Sequence, residues 1–206
     1  MYTNNNPSKK SHDEKMRWIL ASGSPRRKDI LENIGLDFVV KTNSIEEISN
    51  KNTPEKICEH IACIKSEGII TDTDEVAISA DTIVVHNNRI LGKPKDVAEA
   101  ESYLKELSSN SHMVMTGLAL RTKDRLVSSC AITKVFFRKL EKSDIQFYLK
   151  SMEWTDKAGG YGIQGKAGIF VERIEGCYFN VVGFPLSLFY FLTAEIDIDV
   201  MKELKS

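Results

Sequence analysis

Residues 76–86, VAISADTIVVH, form the most strand-like run of the chain, because they are rich in β-branched side chains and are followed by the turn residues Asn87 and Asn88. Asp81 lies in the middle of this run. A carboxylate in an otherwise apolar strand is costly unless it is hydrogen-bonded, paired with a cation or bound to a metal ion. The run therefore predicts a strand and marks Asp81 as a candidate functional residue. An equal alternative at this point is that Asp81 lies at a bulge or strand end and accepts backbone N–H bonds.

A second polar segment, residues 21–31 (ASGSPRRKDIL), directly follows a short apolar run. Ser24 suits an N-cap and Pro25 suits the first helical position, so a helix is predicted to begin there. Helix N-termini attract anions, and Arg26 and Arg27 add charged, fork-shaped donors. The segment thus indicates a phosphate site, although arginines in a first helical turn are also common on solvated surfaces.

Hydrophobic periodicity and turn residues predict the remaining elements. Further strands are predicted at 18–20, 37–41, 113–121, 125–137, 169–174 and 178–182. Further helices are predicted at 53–68, 97–107, 141–150 and 185–196.

The composition narrows the classes of protein that the chain can be. It is 42% hydrophobic and 28% charged, as in ordinary soluble globular proteins. A net charge of -1 gives no global attraction for nucleic acid or anionic membranes, so any anion must be recognised by locally placed cations. No apolar stretch reaches the roughly 20 residues that span a bilayer.

Cysteines, histidines and the first residues of the chain add further expectations. The four cysteines form no C-x-x-C pair and the four histidines are scattered, which argues against a structural zinc site. Reduced thiols in a cytoplasmic protein are expected. Residues 1–15 are polar and lack the apolar core of a secretory signal, so we expect a flexible tail before one domain over residues 16–206.

Three more polar residues lie at helix ends or in loops, which are positions typical of functional sites. Lys65 lies near the C-terminal end of the helix predicted at 53–68, where a cation also simply favours the helix dipole. Lys93 precedes Pro94, which favours an extended loop, and its alternative is an ordinary exposed lysine. Gln164 lies in the glycine-rich stretch 156–168. Its amide has a donor and an acceptor, as recognition of a nucleotide base requires; the alternative is an incidental amide in a surface loop.

Together the polar exceptions suit a nucleoside triphosphate and a divalent ion. They are Ser22, Ser24, Arg26, Arg27, Lys65, Asp81, Lys93 and Gln164. Cations offset charge as a phosphoanhydride bond breaks, a carboxylate orients water or holds Mg²⁺, and an amide reads a base. There is no G-x-x-x-x-G-K-[ST], which excludes a Walker-type ATPase, and no G-x-G-x-x-G follows a strand.

Five motifs, in order along the chain, resemble those of the Maf-like nucleotide pyrophosphatases. They are LASGSPRR at 20–27, SADTIV at 79–84, GKP at 92–94, MTGLAL at 115–120 and GYGIQG at 160–165. The resemblance covers about residues 19–192 and implies an α/β fold with an elongated mixed sheet, flanking helices and two lobes around a cleft, as in the inosine triphosphate pyrophosphatase superfamily. It also implies a homodimer, and hydrolysis of a nucleoside triphosphate to the monophosphate and pyrophosphate with a divalent metal, Mg²⁺ or Mn²⁺.

Within that family, the GSPRR and GYGIQG stretches resemble the branch that acts on dTTP and UTP rather than the one that prefers 7-methyl-GTP. The resemblance implies that Asp81 is the proton acceptor, or chiefly a metal ligand. It assigns substrate choice to Arg26, Thr82 and Gln164, and triphosphate binding to Ser22, Arg27, Lys65 and Lys93. It also places Glu46 near the metal, with Glu47 as an equal candidate.

Two residues depart from the pattern of the relatives. Ile64 stands before Lys65 where they often have glutamate, and this would weaken metal binding if that acid helps. Ser79 replaces a common glycine, which we expect to change only packing. A different class of function also stays open, because the family has been linked to arrest of septum formation: a nucleotide-binding regulator that acts through a protein partner.

Overall fold

All of the predicted strands except the one at 178–182 join one mixed sheet. The computed structural model describes residues 15–69 and 72–205, so nearly all of the predicted tail, residues 1–14, lies outside the described part. The strands are β1 (Arg17–Leu20), β2 (Phe38–Val40), β3 (Glu75–His86), β4 (Arg89–Leu91), β5 (Ser111–Arg121), β6 (Leu126–Phe137) and β7 (Val171–Glu175). Their order is β2-β1-β3-β5-β6-β7, with β4 paired to β3. Strand β1 runs parallel to β2 and β3, and the other pairs are antiparallel.

Helices flank this sheet, as the resemblance implies. They are α1 (Pro25–Asn33), α2 (Pro54–Glu67), α3 (Val97–Leu107), α4 (Lys142–Lys150), α5 (Tyr178–Val182), α6 (Leu186–Glu195) and α7 (Val200–Glu203). The caps explain several boundaries: the side chain of Thr53 accepts the N–H of Lys56 at the start of α2, and Asp96 accepts that of Glu99 at the start of α3. In the described residues no helix is both long and apolar enough to cross a membrane.

The strand predicted at 178–182 is wrong, because these residues form α5. Cys177 begins the helix in an extended conformation, and Gly183 ends it with a φ of 116°, in the left-handed region that favours glycine. The buried amide of Asn180 donates to the carbonyl of Val114 and to Thr133 Oγ1, and so anchors α5 to β5 and β6. A run of five residues is too short for periodicity to separate helix from strand.

Other boundaries differ less from the sequence predictions. Short strand β4 and helix α7 were not predicted, and β7 begins at Val171 because Lys166–Phe170 form a 3₁₀ helix. Asn87 and Asn88 both have positive φ angles, 48° and 61°, which confirms the predicted turn after β3.

Two large apolar clusters make up most of the described core. One joins α3 and α4 to β5 and β6 through side chains such as Leu104 and Tyr148. The other joins β1, α1 and α6 through Leu20, Leu31 and Phe189. The side chains of both clusters are nearly inaccessible to solvent. Two separate hydrophobic cores therefore stabilise the sheet, in keeping with the two lobes that the resemblance implies.

Helix α2 lies unusually close to the sheet at Gly117 of β5. Gly117 pairs with Asp81 on one side and with Cys130 on the other. A Cβ atom at this position would overlap the carbonyl carbon and oxygen of Cys58 in α2. The hydroxyl of Ser79, which is fully buried, adds a hydrogen bond of 2.6 Å to the carbonyl oxygen of Ala62. Helix α2 is thus fixed against β5 at main-chain distance and against β3 through the Ser79 side chain.

We expect Gly117→Ala to lower the free energy of unfolding by about 3 kcal/mol, because the overlapping atoms belong to a helix backbone that cannot turn aside as a side chain can. Urea unfolding measures this loss. Gly92→Ala is the matched control, since nothing lies within 4 Å of the position that its Cβ would take, and it should change the free energy by less than about 1 kcal/mol. Equal losses in the two variants would contradict the close approach of α2.

Candidate active site

A cleft of about 840 Å³ gathers the polar residues that the sequence analysis singled out. Its walls come from the turn between β1 and α1, the middle of β3, the loop after β4, the glycine-rich segment and the end of α5. The predicted residues that line it are Ser22, Ser24, Arg26, Arg27, Lys65, Asp81, Thr82, Lys93 and Gln164. Of the two equal candidates for the metal, Glu47 lines the cleft and Glu46 does not.

Asp81 is held by an ion pair inside regular sheet. The register of β3 against β5 runs without interruption from Ala77 to Val85, so the alternative that Asp81 lies at a bulge or strand end is wrong. Its Oδ1 atom lies 2.7 Å from Nζ of Lys65, and Oε2 of Glu47 lies 3.0 Å from the same nitrogen. The Lys65 and Asp81 side chains are 16% and 15% exposed, so this contact is only weakly screened by water. One ammonium group therefore brings two carboxylates together.

Arg27 is buried and joins three parts of the cleft wall. Its Nε donates to the carbonyl of Gly183, one terminal nitrogen donates to Ser22 Oγ, and the other donates to Thr82 Oγ1. Burial lowers the pKa of Arg27 to about 10, while the negative charge of Asp81 opposes that shift, so the guanidinium stays charged at neutral pH. Ser22, Arg27 and Thr82 form one hydrogen-bonded group rather than separate contacts.

The helix start behaves differently from the capping scheme that the sequence suggested. Ser24 occupies the N-cap position of α1, but its side chain makes no capping hydrogen bond. The hydroxyl of Ser22 instead accepts the N–H of Ser24 at 3.3 Å. The Ser24 hydroxyl thus remains available at the edge of the cleft, next to the positive end of the helix.

Three cations in the cleft have no acidic partner within 4 Å among the described residues: Arg26, Lys93 and Lys157. Burial lowers the pKa of Arg26 and of Lys157, and the positive charge of Arg26 further lowers that of Lys157. Cations that are partly dehydrated and unpaired favour an anionic ligand. The sequence analysis missed Lys157, although it lies in the same glycine-rich stretch as Gln164.

Gln164 is exposed in the cleft, and in the described residues its amide makes no hydrogen bond. Nearby Tyr161, also in the cleft wall, is nearly fully buried, and its hydroxyl lies 2.7 Å from Nε2 of His112. The His112 and Tyr161 rings pack edge to face with Phe137. Burial lowers the pKa of His112 to about 3, so the wall behind the glycine-rich segment contains a neutral imidazole.

The carboxylates of the cleft fit a metal that is bound partly by the substrate. No group of three or more His, Cys, Asp or Glu side chains could hold a metal within residues 15–69 and 72–205. Asp81 and Glu47 supply two carboxylates around one point. Mg²⁺ is commonly bound by one or two carboxylates together with substrate phosphates and water, so this donor set suits that mode rather than a cage made by the protein alone.

The motifs imply, for the Maf-like family, a mixed sheet and a cleft in which cations surround an acid. The structure has both features. The profile of the family described as Maf-like protein matches residues 17–196, and the chain belongs to that family. A Bacillus cereus (strain ATCC 10987 / NRS 248) protein named dTTP/UTP pyrophosphatase is 41% identical over 194 residues, which cover 93% of this chain and 96% of that protein. A Thermoanaerobacter sp. (strain X514) protein of the same name is 44% identical over 191 residues, 90% of this chain and 100% of that protein.

Solved structures give a more distant likeness. A HAM1 protein from Coxiella burnetii covers 87% of this chain and 99% of its own chain, at 16% identity and a TM-score of 0.49. This likeness carries nothing about activity.

We expect His112 to make folding stability depend on pH. The unfolded histidine gains a proton below about pH 6.5, whereas the buried ring stays neutral down to about pH 3, so stability is lost as the pH falls through this window. Between pH 6.5 and 5.0 the loss from this group is about 2 kcal/mol. Urea unfolding of the wild type and of His112→Gln at both pH values gives the change in the free energy of unfolding for each protein. The difference between these two changes measures the contribution of His112.

Tyr161→Phe is the matched control, because it removes the hydroxyl but leaves His112 buried, and it should keep the wild-type pH dependence. If His112→Gln loses as much stability on acidification as the wild type, His112 is not held neutral in the folded protein.

Proposed function

We propose that this protein is a nucleoside triphosphate pyrophosphatase that hydrolyses dTTP and UTP to the monophosphate and pyrophosphate. The observation that carries the proposal is the contact of 2.7 Å between Asp81 and Lys65 in a cleft lined by further cations. A partly buried carboxylate repels a polyphosphate unless it accepts a proton or holds a metal ion, so the place of Asp81 among these cations favours hydrolysis. The names of the relatives support the same reaction and the same substrates.

Different residues of the cleft have different roles in the proposed reaction. Asp81 accepts the proton of a water molecule that attacks the α-phosphorus, and the contact with Lys65 holds the Asp81 carboxylate in place. Arg27 has five N–H groups and uses three on Gly183, Ser22 and Thr82, which leaves donors for phosphate oxygens. Lys93 and the free hydroxyl of Ser24 extend this surface along the leaving pyrophosphate.

A divalent cation, Mg²⁺ or Mn²⁺, supplies neutralisation of phosphate charge when it is bound. Asp81 and Glu47 are the residues that would hold it. The ammonium group of Lys65 has three N–H donors, so it would keep its contact with Asp81 and still offer a donor to the triphosphate. Ile64, where relatives often have an acid, contributes no carboxylate to this set.

We assign recognition of the base to Gln164. Uracil and thymine present an N–H donor beside a carbonyl acceptor, and the unpaired amide of Gln164 offers the complementary pair. Arg26, which also lines the cleft, would contact the base or sugar, and Thr82 would act through its bond to Arg27. A cytoplasmic location, a homodimer and a single domain over residues 16–206 stay predictions.

The first test is pyrophosphate release from dTTP, UTP, CTP, 7-methyl-GTP, ITP and ATP, each with Mg²⁺ and with Mn²⁺. We expect turnover of dTTP and UTP that falls at least about 1000-fold in Asp81→Asn, because the general base and a carboxylate are both lost. Preference for 7-methyl-GTP would overturn the assigned branch. Tight nucleotide binding without turnover in any metal would overturn the enzyme and favour a nucleotide-dependent regulator.

Metal titration of Asp81→Asn separates the two roles of this acid. A base role predicts that turnover is lost while the apparent metal affinity is largely kept, and the pH–rate profile then loses its acidic limb. A ligand role predicts that turnover recovers in part at high metal concentration.

Glu47 and Glu46 provide a matched pair that tests the geometry of the cleft. Glu47→Gln removes the second carboxylate on Lys65, so we expect the metal concentration for half-maximal activity to rise about 10-fold or more. Glu46→Gln changes a neighbour that does not line the cleft and should leave this concentration unchanged. A larger effect from Glu46 would reverse the assignment.

A further inference from the structure

Two of the four cysteines lie against each other between α2 and β6. Sγ of Cys58 in α2 is 3.3 Å from Sγ of Cys130 in β6, although 72 positions separate them in the sequence. Cys58 is fully buried, whereas Cys130 is partly open to solvent. Both are free thiols, and neither takes part in the proposed reaction.

The fold itself produces this contact. Asp81, Gly117 and Cys130 are register partners across β3, β5 and β6, so their side-chain positions lie in one row on one face of the sheet. Because Gly117 has no side chain, α2 sinks onto this row and Cys58 reaches the sulfur of Cys130. The same close approach that places Lys65 beside Asp81 also brings the two thiols together.

We propose that Cys58 and Cys130 form an oxidation site, which a peroxide converts into an intramolecular disulfide. The sulfur of Cys130 attacks one oxygen of hydrogen peroxide, the O–O bond breaks, and the sulfenic acid and one water are formed. The sulfur of Cys58 then attacks the sulfenic sulfur, the S–O bond breaks and a second water leaves. Two thiols lose two electrons and two protons in total, and the peroxide takes up both.

The order of the two steps follows from the surroundings of each sulfur. The hydrogen bond between the thiols lowers the pKa of Cys130 and raises that of Cys58, and burial raises the pKa of Cys58 further. Cys130 is also the more accessible of the two. It therefore meets the oxidant first, and Cys58 resolves the product from inside the protein.

The bond would join α2 to β6 across a long stretch of chain. Closing so large a loop restricts the unfolded state, so the oxidised protein should be the more stable form. Since α2 also carries Lys65, the disulfide would attach the helix that supports the cleft covalently to the sheet.

The test is intact-protein mass spectrometry after a small molar excess of hydrogen peroxide, followed by peptide mapping. We expect the wild type to lose two hydrogen atoms, to yield one cross-linked peptide containing Cys58 and Cys130, and to regain the mass with dithiothreitol. Iodoacetamide should still modify Cys63 and Cys177. The oxidised form should melt several degrees higher than the reduced form.

Two variants, each with one cysteine of α2 replaced by serine, test the proposal further. Cys58→Ser lacks the resolving thiol, so Cys130 should gain one oxygen atom and react with dimedone. Cys63→Ser, the matched control, should form the disulfide as the wild type does. The proposal is overturned if the wild type gains oxygen without losing two hydrogens, if the cross-link involves Cys63 or Cys177, or if oxidation lowers the melting temperature. None of these measurements depends on nucleotide hydrolysis.

Discussion

The position of α2 on the sheet is the constraint on which the cleft depends. A helix normally packs on a sheet through a layer of side chains, whereas here its main chain meets Gly117 directly. This depth sets how far the Lys65 side chain must reach to contact Asp81. Ser79 strengthens the same contact, since its hydroxyl bonds to a main-chain oxygen inside α2. Ser79 therefore has a packing role in this chain.

The cleft also depends on a buried polar network that extends from Arg27. Thr82, which accepts from Arg27, lies 3.0 Å from the hydroxyl of Thr116, and Thr116 donates to the carbonyl of Asn180 in α5. The network links β3, β5 and α5 to the turn before α1. Groups connected in this way do not act additively, so a residue expected to set substrate choice, such as Thr82, also determines how firmly Arg27 is held.

Local sequence patterns were sufficient for the long elements and for the positions of most cleft residues. The β-branched run around Asp81 predicted β3, and hydrophobic periodicity predicted α2 and α3, because propensity and period agree with the fold there. Helix α5 was mispredicted because its conformation is decided by the buried amide of Asn180, a long-range contact. The sequence could not choose between Glu46 and Glu47 for a similar reason: in an irregular segment no periodicity says which of two neighbours faces inward.

The three cleft cations that lack an acidic partner among the described residues would attract an anion only over a short distance. The whole chain carries a net charge of -1, so its field does not draw polyanions from a distance. At physiological ionic strength the attraction of Arg26, Lys93 and Lys157 fades within about 8 Å. Their radius of attraction is thus short, and a compact anion that fits inside the walls of the cleft would gain the full attraction. A long polyanion such as a nucleic acid strand would leave most of its phosphates beyond that radius.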